Sequence, residues 1–129
     1  MLLCVLTTNK GRYMFKQRFI ITRPNTDAEF WPRTPQYAEK QQIIEDLRSV
    51  RTDLVTGYEN TISEDQLVYT AIVTFSSEAA WSEFTRYLRG YKLIGLEEAE
   101  QYYITHNHSY IVENITDENS PVLLNKINC

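Results

Sequence analysis

The stretch Gln66-Leu-Val-Tyr-Thr-Ala-Ile-Val-Thr-Phe75-Ser-Ser-Glu-Ala-Ala-Trp-Ser-Glu-Phe84 changes its hydrophobic period midway. Up to Phe75 it alternates. Leu67, Tyr69, Ala71, Val73 and Phe75 share one face of a strand, and Val68, Thr70, Ile72 and Thr74 share the other. Beyond Phe75 the apolar residues Ala80, Trp81, Phe84, Leu88 and Tyr91 recur at helical spacing. Ser76 or Ser77 supplies the cap, and Glu78 stands in the first turn beside the positive end of the helix dipole.

Upstream, Arg12 to Thr22 alternates in the same way, with Tyr13, Phe15, Phe19 and Ile21 on one face and Met14, Lys16, Arg18 and Ile20 on the other. Met1 to Leu6 is expected to be a short strand joined to it through the turn Thr7-Thr-Asn-Lys-Gly11. Arg23 to Arg33 holds two prolines and reads as an irregular loop pinned by Phe30 and Trp31. Thr34-Pro35 is a helix start, and the helix runs to about Asp53 with Tyr37, Ile43, Ile44, Leu47, Val50 and Leu54 inward. Leu54 to Ile62 reads as a weaker strand.

Downstream, Gly90 and Gly95 are expected to break the chain, leaving Leu96 to about Thr105 as a short third helix. Ser109 to Thr116 is a last strand, and 117–129 is an extended tail carrying Val122, Leu123 and Leu124. The order strand, helix, strand, strand, helix, strand predicts an α+β fold: a ferredoxin-like split βαββαβ sandwich, a single domain over 1–129 with helices on one sheet face.

Composition narrows the function. The chain has 129 residues and net charge -4, with 43% hydrophobic residues, enough for one core. Residues 1–64 carry nine Lys+Arg against eight Asp+Glu, whereas 65–129 carry four against nine. Lys10, Arg12, Lys16, Arg18 and Arg23 form an acid-free block, which suggests an anionic partner or an acidic neighbouring surface. Cys4 and Cys129 do not make a disulfide scaffold. The start lacks the basic segment and cleavage site of a signal peptide, and no run reaches the about 20 apolar residues of a membrane span. Asn107-His-Ser109 and Asn114-Ile-Thr116 are then chance sequons. His106 and His108 sit in an Asn-rich turn, with no further ligand at a metal-binding spacing, so no metal and no cofactor is expected. No phosphate loop, nucleophile elbow or converging carboxylate pair stands out.

Three resemblances bear on function. Tyr69-Thr-Ala-Ile-Val-Thr-Phe75-Ser-Ser-Glu-Ala-Ala-Trp81 resembles the third strand and second helix of RNA-recognition-motif domains. That likeness implies base stacking on the open sheet face, but its stacking positions here are Thr70 and Ile72. The same segment is similar to dimeric α/β-barrel monooxygenase and heme-degrading families, which would place Trp81, His106 or His108 in a barrel pocket. Arg23-Pro-Asn-Thr-Asp-Ala-Glu-Phe30, Ile62-Ser-Glu-Asp-Gln-Leu67 and Val73 to Phe84 together are similar to small proteins of unassigned role in large tailed bacteriophages. This last likeness implies a virion component found in the virion or the host cytoplasm.

The expected function is a non-enzymatic interaction or assembly module, with other protein subunits as partners, no membrane partner, and nucleic acid not favoured. Its surface would be Met14, Lys16, Arg18, Ile20, Val68, Thr70 and Ile72 on the open sheet face, with Trp31 as a further contact. An α/β-barrel monooxygenase-like enzyme and an RNA-recognition-motif-like nucleic-acid binder are the alternatives.

Overall fold

The computed structural model describes residues 15–128, and for Gln36 and residues 88–98 the backbone alone. It is an α+β fold. The elements are β1 (Phe15–Thr22), α1 (Pro35–Val50), β2 (Val55–Ile62), β3 (Val68–Phe75), α2 (Glu78–Thr105), β4 (Ser109–Asn114) and β5 (Val122–Ile127). The strands form one antiparallel sheet in the order β2-β3-β1-β4-β5. A plain four-stranded split sandwich lacks β5, which is added beside β4. The expected strand at residues 1–6 lies outside the described residues. On β1, both edges are taken, by β3 over Phe15–Thr22 and by β4 over Gln17–Thr22.

Both helices cover the face that alternation marks as apolar. Phe15, Val55, Phe75 and Val73 meet Ile44 and Leu47 of α1 and Ala80, Trp81 and Phe84 of α2 in one cluster, with Leu54. Ile21, Tyr69, Tyr110 and Ile127 meet Tyr37 of α1 and Ala99, Tyr102 and Tyr103 of α2 in a second. Phe30 and Trp31 of the 23–33 loop close that second cluster, so this loop belongs to the core. Arg23 holds it in place, donating to the carbonyls of Ala28 and Gln66 and stacking over Phe30.

The helix starts follow from side-chain chemistry. Thr34 accepts from the Tyr37 N–H, and Ser77 rather than Ser76 caps α2 by accepting from the Ala80 N–H. The Ser76 hydroxyl instead donates to the Asp53 carbonyl, tying the start of α2 to the segment before β2. Two expectations need correction. α1 ends at Val50, with Arg51 as its cap, and Val50 is 76% exposed rather than inward. The expected third helix is the C-terminal part of α2, which runs for 28 residues through Gly90 and Gly95. A glycine in a helix interior costs only about 1 kcal/mol and keeps its backbone donor, so it stops a helix only when the chain turns left-handed there; no described glycine has a positive φ. The tail packs on this chain, where Val122–Ile127 pairs with β4 as β5.

Candidate interaction surface

The face turned away from the helices is built from odd-even alternation and strand register together. Across the sheet, Thr61, Thr70, Ile20, Ile111 and Lys126 form one row. Glu59, Ile72, Arg18, Glu113 and Leu123 form the next, and Thr74 and Lys16 are paired beyond it. Val68 faces Thr22 at the other end. Thus Lys16, Arg18, Ile20, Val68, Thr70 and Ile72 do share one surface, and no described helix covers it. Met14 lies outside the described residues. Trp31 lies on the opposite side, edge-on to Tyr69 at 5.2 Å and beside Phe30, so it pins a loop to the core and does not extend this surface.

Its electrostatics differ from the expectation of a basic face. Arg18 donates through Nε and Nη2 to Glu113 Oε1 at 3.1 and 2.8 Å, directly across the strand pair. Lys16 lies 3.9 Å from Glu118. With Lys126 and Glu59 added, the surface holds Lys16, Arg18 and Lys126 against Glu59, Glu113 and Glu118, three charges of each sign. Two members of the acid-free block, Lys16 and Arg18, thus face acids about a hundred positions away in sequence, while Arg23 is spent on carbonyls and Lys10 and Arg12 lie outside the described residues. The aliphatic pair Ile20 and Ile111 remains, in a row that ends on Lys126; Leu123 of β5 ends the neighbouring row, and Val122, Leu123 and Leu124 are 55, 52 and 42% exposed. Sequence reasoning missed Ile111 and Glu113 because their facing is set by pairing with β1; the alternation of Tyr110 and Val112 was the available signal.

The helix side holds the titratable residues. The two histidines of the Asn-rich turn part company: His106 is exposed and stacks on Tyr102 at 4.1 Å, whereas His108 is fully buried. Asn107, at φ 59°, turns the chain left-handed and sends His108 inward. There its Nε2 lies 2.6 Å from the Glu29 carbonyl and its Nδ1 3.1 Å from the His106 carbonyl. Trp81 is far from both in the chain's packing, stacked on Phe15 at 4.6 Å in the other cluster. His106, His108 and Trp81 therefore do not line one cavity. No group of three or more His, Cys, Asp or Glu able to hold a metal ion occurs among the described residues, and no described helix is long and apolar enough to cross a membrane.

Burial raises the Tyr37, Tyr103 and Tyr110 phenols above their ordinary range and pushes the Lys40 ammonium, over the Tyr37 ring, down to about 8, with Glu100 pulling the other way. From about pH 8 upward the unfolded chain thus holds a Lys40 proton that the folded chain has shed, so stability rises with pH. Above about pH 10 the unfolded tyrosines ionise before the folded ones and stability falls. Lys40→Met should flatten the rising limb in urea titrations across this range. An unchanged slope would assign the limb to another group.

Comparison with protein-family models, with curated proteins and with solved structures finds no match.

Proposed function

We propose that the protein is a non-enzymatic assembly module whose open sheet face and β5 edge dock another protein subunit, in the first instance a second copy of this chain. The observation that carries this is the run Val122-Leu123-Leu124, three half-exposed aliphatic residues on a strand that ends the sheet among the described residues. An exposed apolar edge of this kind pairs readily with another chain unless it is covered. The row Ile20–Ile111 beside it enlarges the apolar area, and its balanced charges suit a protein surface better than a phosphate backbone.

Within this proposal the fold is read as a ferredoxin-like split βαββαβ sandwich, supported by the order β4-β1-β3-β2 inside the five-stranded sheet. The resemblance to phage proteins adds a setting, a virion component. Nucleic-acid binding through stacked bases is less well supported, because Thr70 and Ile72 occupy the central open-face positions while Phe15 is buried under the helices.

Light scattering tests the proposal. A particle larger than the 15.2 kDa monomer is expected, returning to monomer size in Leu123→Lys with the melting temperature preserved. A wild-type chain that stays monomeric at high concentration and matches Leu123→Lys sinks this reading.

A further inference from the structure

The opposite edge of the sheet, β2, carries a groove of about 450 Å³ between itself and α1. Glu45 and Arg48 of α1 form one wall, and Val55, Thr56, Gly57 and Tyr58 of β2 form the other. Among the described residues β2 pairs only with β3, so the outer side of its eight-residue backbone presents unpaired N–H and C=O groups. The register shift falls between Val55 and Gly57, which leaves an unbroken ladder over Gly57–Ile62. The Arg48 guanidinium lies on Tyr58, 3.8 Å from the ring centre, and its buried Nε has no hydrogen-bond partner. The ion pairs of the described residues use Lys16, Arg18, Arg33 and Arg51, leaving Arg48 without a carboxylate.

We propose that this edge captures an extended segment of another protein, which adds as a strand to β2 and sets an acidic side chain in the groove against Arg48. Strand addition supplies affinity through the backbone ladder, while a pocket beside the edge reads alternate side chains. A charged donor in a concave wall without a counter-ion supplies the choice of an acid, because a carboxylate accepts from a guanidinium through two oxygens at once. A second copy of β2 does not fit. The residues that β2 turns to the helix side after its register shift are Tyr58, Asn60 and Ile62, none of them acidic. Nucleic acid does not fit either, since Arg48 is the one cation among the groove-lining residues and a run of phosphates needs several. The site lies across the sheet from β5, so its occupancy does not depend on assembly through that edge.

A displayed library of random peptides of about the length of β2, selected against the full chain, tests this. The enriched peptides should share an Asp or Glu at one fixed position with β-branched residues at alternate positions. The tightest of them, added to the protein, should slow amide exchange on β2 and leave β5 unchanged. Binding to Arg48→Gln should be about tenfold weaker, the loss expected for a charged hydrogen bond, with the glutamine version of the peptide losing as much on wild type. Arg48→Lys, which keeps the charge, should fall between the two and covers the case in which Arg48→Gln fails to fold. A selection with no enriched sequence, peptides with no fixed acid, protection on β5 instead of β2, or variants that bind like wild type would each overturn the proposal.

Discussion

Replacing Phe75 with Ala should lower the unfolding free energy by about 4 kcal/mol, the largest loss expected from any single truncation of this chain. Phe75 ends β3 at 2% exposure, and its ring meets Phe84 of α2 edge-on at 5.4 Å and Phe15 of β1 edge-on at 6.2 Å. Truncation removes the apolar surface and both aromatic contacts, and it opens a cavity beside Leu54, Val55 and Ala80 that backbone on three elements cannot collapse to fill. Urea denaturation should show a lower midpoint with the slope retained, and the melting temperature should fall by about 15 °C. Phe75→Leu, which keeps most of the volume, should cost less than half as much. A loss below about 1 kcal/mol for Phe75→Ala would mean that this cluster is not the principal core.

His108→Ala comes second, at about 3 kcal/mol, for a different reason. The side chain joins three segments that have no backbone ladder between them. Its Nε2 reaches the Glu29 carbonyl of the 23–33 loop, its Nδ1 reaches the His106 carbonyl at the end of α2, and its ring packs on Tyr102 and Tyr103. Asn128 closes the arrangement by donating to the carbonyls of Tyr103 and His108. A carbonyl oxygen only accepts, so whichever ring nitrogen carries the proton donates to its carbonyl, and alanine removes that donor as well as leaving a void. The Glu29 carbonyl keeps the Tyr102 hydroxyl at 2.9 Å, which limits the cost on that side. Two comparisons separate the contributions: His108→Gln restores a donor without the ring, and His108→Phe restores the ring without a donor. Both should be intermediate, and proteolysis of the 23–33 loop should quicken in all three variants. Equal stability of His108→Phe and wild type would make the residue a space filler only.

The central sheet was legible because alternation needs no information beyond the segment itself. Lys16, Arg18 and Ile20 on one side of β1, and Tyr69 to Phe75 on one side of β3, follow from the period of a strand. The start of α1 at Thr34-Pro35 and that of α2 at Ser77 were equally local. What escaped was set by distant partners. Glu113 neutralises Arg18 across 95 positions, and the Glu29 carbonyl receives His108 across 79, so neither the charge of the face nor the burial of the histidine could be read from its own neighbourhood. β5 escaped because Val-Leu-Leu-Asn-Lys-Ile does not alternate; the register shift between Val112 and Glu113 absorbs the irregularity. The continuation of α2 through Gly90 and Gly95 shows the limit of punctuation rules where no turn chemistry supports the break. In the groove beside β2, Arg48 and Tyr58 come from different elements, so the sequence held the residues without their proximity.

The Arg18–Glu113 bond has a kinetic side. A surface whose positive and negative groups are already matched within one subunit casts little field into solution, and a partner approaching it is not drawn in from a distance. Encounters with that face proceed at the unsteered rate and stay nearly constant as ionic strength changes. Under the proposed assembly, discrimination between right and wrong subunits would fall on residence time, a well-fitted neighbour staying on this face longer than a poor one.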